Sequence, residues 1–384
     1  MSNERSAGDA PVHLKNYAEQ YARDPHAAAM QWFRDAKLGL FLHYGIYALH
    51  GRGEWAMYNE AIPLKDYEKL AEQFTAEGFD AGRITDLALA MGAGYVNLTT
   101  KHHDGFCLWD SDVCDFSAPH TPAGRDLVGE LAEQCHAKGL GLFVYYSYAL
   151  DWRHPWFFSL DYFDRARPPY ARPEPRYLFE KADDFRRYID YVHEQLTELL
   201  THYGPVAGVW FDPEMAYLAQ PEMFPIDETY ALIRRLQPHA LISFKHGATG
   251  EEDFAAPEGR GMPLVEKARQ RLGEEAARHV EEVWRKNRSK RGEICDTLAW
   301  SWGYHEKNDQ THKGPDEVMA MLAEADRRDC NLLINTAPLP DGSIPAADVV
   351  TLTEVGRRRK AGETATGDSA YAFDSDQPPS TPIT

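Results

Sequence analysis

Seven short apolar runs, separated by amphipathic stretches of helical period, constrain this chain more than any other feature. They read LGLFLHYG (38–45), GYVNLTT (94–100), GLGLFVYYS (139–147), GVWFD (208–212), ALISFKHG (240–247), TLAWSWGY (297–304) and NLLINTAP (331–338). Helical patterns cover 11–36, 79–91, 125–138, 178–203, 227–237 and 315–328. Apolar runs alternating with amphipathic helices are the signature of a parallel sheet with helices packed on it. So many units exceed what a small open sheet needs. The expected fold is therefore α/β, an irregular (β/α)8 TIM-like barrel, with an open doubly wound sheet as the second choice.

Around that barrel, assigned to 11–360, the first ten residues read as a loose N-terminus and 361–384 as a flexible polar tail ending QPPSTPIT. Residues 260–292 read as a helical insertion. Val265, Ala268, Leu272, Ala276, Val280 and Val283 form one apolar stripe along it. Such a stripe packs on the barrel exterior or on a partner chain, which leaves a homo-oligomer open.

The chemistry gathers where the runs end. GVWFDP carries a buried-type strand straight into Asp212, and Pro213 stops it. A carboxylate at the C-terminal end of a parallel strand is either a helix cap or a catalytic group. Other runs end in His43, in His102 and His103 (KHHDGF), in Tyr145, and in Lys245 with His246. A barrel brings all of these to one rim. Any one of them alone is better read as packing or as a satisfied histidine; their convergence is not.

Acid–base work on a glycosidic bond needs a second carboxylate. Glu54 in GRGEW, Glu214, Glu258 in DFAAPEGR and Glu293 are candidates, with Glu258 modestly ahead because it follows an extended stretch. Glu54 beside Trp55 suits acceptance from sugar hydroxyls, and Trp55 and Trp210 offer flat apolar faces. The histidines raise a metal-dependent hydrolase as an alternative. Adjacent His102 and His103 point to opposite faces of an extended strand unless a bulge intervenes, so no metal is expected. No glycine-rich phosphate loop or GxSxG elbow is present, and no cofactor is expected.

Composition excludes other classes. A net charge of −19 opposes binding to nucleic acid or to an anionic membrane. No segment approaches the roughly 20 apolar residues of a membrane span. Five scattered cysteines without a CxxC pair suggest free thiols. With no apolar leader at the N-terminus, a cytoplasmic location is the expectation.

The blocks KLGLFLHYGIYALHGRGEWAMYNE, GYVNLTTKHHDGFCLWDS, GRDLVGELAEQCHAKGLGLFVYYSYALDW, GVWFDP, WSWGY and NLLINTAPLPDGSIP resemble glycoside hydrolase family 29, the α-L-fucosidases, over roughly 30–360. The resemblance implies a retaining exo-glycosidase acting on terminal α-L-fucosides of an oligosaccharide or glycoconjugate. It implies Asp212 as nucleophile, Glu258 as acid/base, and a sugar-binding set of His43, Glu54, Trp55, His102, His103, Tyr145 and Trp210. The chain departs from the family pattern in reading WFDP for WFDG. It also has Lys245 where an arginine-containing stretch is expected, and a short tail in place of the β-sandwich that often follows the barrel. A carbohydrate-binding barrel without turnover is the non-enzymatic alternative.

Overall fold

The computed structural model describes residues 10–258 and 262–363. Its seven parallel strands are β1 (Leu38–Leu42), β2 (Tyr95–Lys101), β3 (Gly141–Ser147), β4 (Gly208–Asp212), β5 (Leu241–Phe244), β6 (Gly292–Thr297) and β7 (Cys330–Thr336), in the spatial order β5-β4-β3-β2-β1-β7-β6. The two edges are joined by an extended segment, 253–258. On one side it bonds to β5 and the residue after it: Asp253 N–H donates to Ile242 O (2.8 Å) and Ala256 N–H to Lys245 O (2.6 Å). On the other side Glu293 N–H donates to Ala255 O (2.9 Å) and Cys295 N–H to Pro257 O (3.2 Å). The sheet thus closes as a (β/α)8-like barrel with this segment as its eighth stave.

Period-two alternation sorts the strand residues into two layers. Leu40, Leu42, Val96, Leu98, Val144, Val209, Phe211, Ile242, Ile294 and Ile334 face the surrounding helices. Phe41, Tyr95, Phe143, Tyr145, Trp210, Leu241, Phe254, Cys295 and Leu333 fill the barrel. Helix α1 (Pro25–Ala36) starts with Asp24 accepting from Ala27 N–H (2.9 Å) and Pro25 in its first turn. It closes the N-terminal end of the barrel with Trp32 and Phe33, the latter stacked 4.3 Å from Phe254. Two strand glycines make room for the aromatics. A Cβ on Gly141 would lie 2.5 Å from the Trp32 ring, and one on Gly208 would lie 2.3 Å from Leu241 O.

Two sequence-based expectations need correction. The sixth regular strand is GEICDT (292–297), whereas TLAWSWGY continues beyond it as turns and bends. A search for apolar runs passes over β6 because its inward-facing positions hold Glu293 and Cys295, in a barrel whose interior is partly polar. The 260–292 region is also no insertion among its described residues. It supplies α2 (Leu264–Leu272) and α3 (Glu274–Asn287), the crossover joining the eighth stave to β6. The expected stripe is present but broken at Gly273 (φ 95°) into a helical hairpin whose Val265, Ala268 and Val280 join the outer core. The loose N-terminus and most of the flexible tail lie outside the described residues.

Because the Gly208 contact is with backbone, the clash cannot be relieved by a rotamer change. Gly208→Ala is expected to cost about 1–3 kcal/mol, read as a lowered urea midpoint at unchanged m-value.

Candidate active site

Asp212, Glu258, Lys245 and the seven expected sugar-binding residues line one cavity of about 220 Å³ at the C-terminal mouth of the barrel, as does Glu214, whereas Glu293 and His246 lie outside its lining. Its centre is a buried ion cluster. Lys245 sits just past β5 with φ 45°, a left-handed conformation that a non-glycine residue adopts only under local constraint. Its ammonium lies 2.9 Å from Asp212 Oδ1 and is also ion-paired with Glu258 Oε1. Tyr145 Oη donates to Asp212 Oδ2 (2.6 Å), and His103 Nε2 stands 3.6 Å from the same oxygen.

The electrostatics follow from burial and that one cation. Burial raises the Asp212 pKa above the usual carboxylate value, although Lys245 opposes the shift. For Glu258 burial also pushes upward, but Lys245 outweighs it and holds the carboxyl below its ordinary value. Burial would lower the Lys245 pKa; Asp212 and Glu258 together raise it well above the usual lysine range. Glu54 is raised by burial and accepts from Gly303 N–H (2.8 Å) and Ser301 Oγ (3.2 Å).

The histidines are held neutral. Burial lowers His43 to about 3 and places His102 and His103 well below their usual value. His43 Nδ1 is 2.7 Å from Asn335 Oδ1, and His103 Nδ1 is 2.6 Å from Ser147 Oγ. Buried His102 Nδ1 has no hydrogen-bond partner, leaving polar capacity for a ligand. Trp55 is wedged against Trp152 (5.0 Å) and His103 (5.2 Å). Trp210 forms the floor, stacked on Tyr145 (5.6 Å), with its indole N–H on Glu293 (3.1 Å).

His102 and His103 do not point to opposite faces, as the expectation of no metal assumed. A register irregularity between β2 and β3 at Thr99/Lys101 precedes the two histidines, whose rings lie 4.0 Å apart on the same cavity. Among the described residues, His102, His103 and Asp212 are the group whose donor atoms converge, within 4.8 Å of one another. A different observation disfavours a cation: an ammonium already occupies the Asp212 carboxylate.

Trp302, whose ring lies 5.1 Å from His43, does not stand out in the sequence because WSWGY reads there as a strand. The loop instead folds over the mouth and clasps GRGEW through Gly53 N–H to Tyr304 O (2.9 Å). Arg165, Lys267 and Arg271 also line the cavity without any motif to announce them.

Comparison with known proteins places this geometry. The α-L-fucosidase family model matches residues 7–361. The chain belongs to the α-L-fucosidase family. α-L-Fucosidase isoenzyme 1 from Paenibacillus thiaminolyticus superposes with a TM-score of 0.72 at 34% identity, covering 90% of this chain and 80% of that one. α-L-Fucosidase AlfC from Lactobacillus casei, solved with α-L-fucose product, gives 0.69 at 26% identity, covering 87% and 98%. α-L-Fucosidase 1 of Arabidopsis thaliana is 25% identical over 345 residues, 88% of this chain. The chain spans 60% of that relative's length and 57% of a related rice protein's. The fucosidase neighbours share the TIM-like barrel found here.

The neutral state of His43 has a measurable consequence. Its pKa is lower in the folded protein than the 6.5 of the unfolded chain, so the stability from burying it neutral is complete above pH 6.5 and lost as pH falls toward 3. The stability advantage of wild type over His43→Gln, from urea denaturation at pH 7, 6 and 5, is expected to shrink below pH 6.5. The slope should reach up to about 1.4 kcal/mol per pH unit.

Proposed function

We propose that the protein is a retaining exo-α-L-fucosidase. The observation that carries this is the single ammonium of Lys245 touching both Asp212 and Glu258. Two charge-assisted contacts laid end to end keep the facing carboxylate oxygens within about 6 Å. A retaining pair stands about 5–5.5 Å apart, whereas an inverting pair leaves about 6.5–9.5 Å for a water. The Lactobacillus casei enzyme was solved with fucose, and one variant of it with Fucα(1,6)GlcNAc and with 4-nitrophenyl fucoside, which supports the same class of substrate here.

In this reading fucose enters until its ring meets Trp210 and Trp302. His43, His102, His103 and Glu54 pair with its hydroxyls, and Trp55 lies against an apolar edge. Tyr145 and Lys245 sustain the Asp212 carboxylate in a site that otherwise disfavours charge. Asp212 attacks the anomeric carbon, and the glycosidic oxygen leaves with a proton from Glu258.

Glu258 is ion-paired with Lys245 in this structure. The incoming aglycone parts it from Lys245, and the carboxyl then takes up the proton that burial favours. Once the glycosyl ester has formed, Asp212 is neutral and Lys245 stabilises the Glu258 carboxylate. Glu258 next deprotonates the water that releases fucose with its configuration retained. The small cavity, closed below by aromatic side chains, takes one terminal sugar.

Asp212→Ala should abolish turnover of every fucoside. Glu258→Ala should slow hydrolysis of a fucosyl disaccharide by about 10²–10⁴-fold, spare activated aryl fucosides more, and be rescued by azide. NMR during early turnover should show the α-anomer first; β-fucose as first product would sink the retaining mechanism.

A further inference from the structure

We infer that the cavity mouth carries an anion-binding subsite, and that the sugar next to the scissile fucose bears a carboxylate or sulfate group. This rests on the fucosidase reading and deepens it. In a chain of net charge −19, three half-buried cations line one side of the mouth: Arg165 from the long loop after β3, and Lys267 and Arg271 one turn apart on α2.

Among the described residues none of the three makes an ion pair with a carboxylate inside the cavity. Asp212 and Glu258 share Lys245, Glu214 has His246 Nδ1 at 3.2 Å, and Glu54 is satisfied by the 301–303 loop. Arg271 is clamped by Asp164, its Nη2 2.5 Å from Oδ1, which fixes α2 to the loop carrying Arg165. Neither Arg165 nor Lys267 has a carboxylate within ion-pair range among the described residues. Half-burying an ammonium and a guanidinium without a counter-ion is unfavourable, and a bound anion relieves it.

Position identifies the occupant. Lys267 lines the same cavity as Glu214 and Glu258, and its charge favours the ionised form of both, which sets it toward the acid/base and the leaving group. Arg165 sits over the Trp55 ring, 5.5 Å from its centroid, and carries positive charge from the fucose platform to the mouth. Phe163 and Met215 add apolar lining, with the Arg271 guanidinium 5.9 Å from the Phe163 ring centroid. A planar guanidinium and an ammonium lining one mouth suit a carboxylate or sulfate held at two points.

The test compares 4-carboxyphenyl α-L-fucoside with its methyl ester. The ester has the more acidic leaving phenol, so any preference for the acid cannot come from leaving-group ability. At low ionic strength kcat/KM should favour the acid by roughly tenfold, with the ratio falling as salt rises. It should collapse toward one in the Arg165→Met/Lys267→Met double variant. A 4-sulfophenyl fucoside forms a third arm that ranks sulfonate against carboxylate, and preference for either over the ester supports the subsite. Titration calorimetry on Asp212→Asn with the same compounds reads affinity without turnover. Equal handling of acid and ester by wild type, or a preference unchanged in the double variant, overturns the subsite alone. If no fucoside is either bound or hydrolysed, the fucosidase reading falls and the subsite falls with it.

Discussion

The shared ammonium of Lys245 is the interaction on which the rest of the site depends. Two carboxylates confined to one small buried cavity repel each other and are each poorly solvated, so at least one would be neutral without a cation between them. Lys245 removes that conflict, and the fold holds it there at the expense of a left-handed backbone. β4 delivers Asp212, the turn after β5 delivers Lys245, and the eighth stave delivers Glu258. The stave's hydrogen bonds to both neighbours are therefore what set the spacing of the pair. Tyr145 on β3 and His103 beyond the β2 irregularity complete the surroundings of Asp212.

Much of this was legible in the sequence for a simple reason. Parallel strands buried on both faces must be apolar along their length and must end in the residues that meet the ligand. GVWFDP and KHHDGF therefore announced both a strand and its cargo. The stretch before Glu258 read as extended, as it is.

What was not legible depended on the polar interior and on the irregular ends. β6 hides Glu293 inside the barrel, where Tyr95 and Trp210 satisfy it and burial lifts its pKa to about 7. No pattern of apolar residues reveals such a strand. With β6 displaced, its crossover looked like an insertion and WSWGY like a strand, which hid Trp302. The backbone irregularity that turns His102 and His103 onto one cavity carries no glycine or proline at its site to mark it.

Helix α1, lying across the N-terminal end of the barrel, has a further consequence. It makes the chamber a dead end, so molecular traffic through it is single file and reversible only in sequence. On the proposed double displacement, the departing aglycone would have to clear the mouth before a water reached the Asp212 ester, and the monosaccharide would leave last by the route it came in. Any acceptor that lingered at the mouth would then compete with that water for the same ester. On that mechanism the shape of the channel, apart from the chemistry at its floor, would set the balance between hydrolysis and transfer of the sugar.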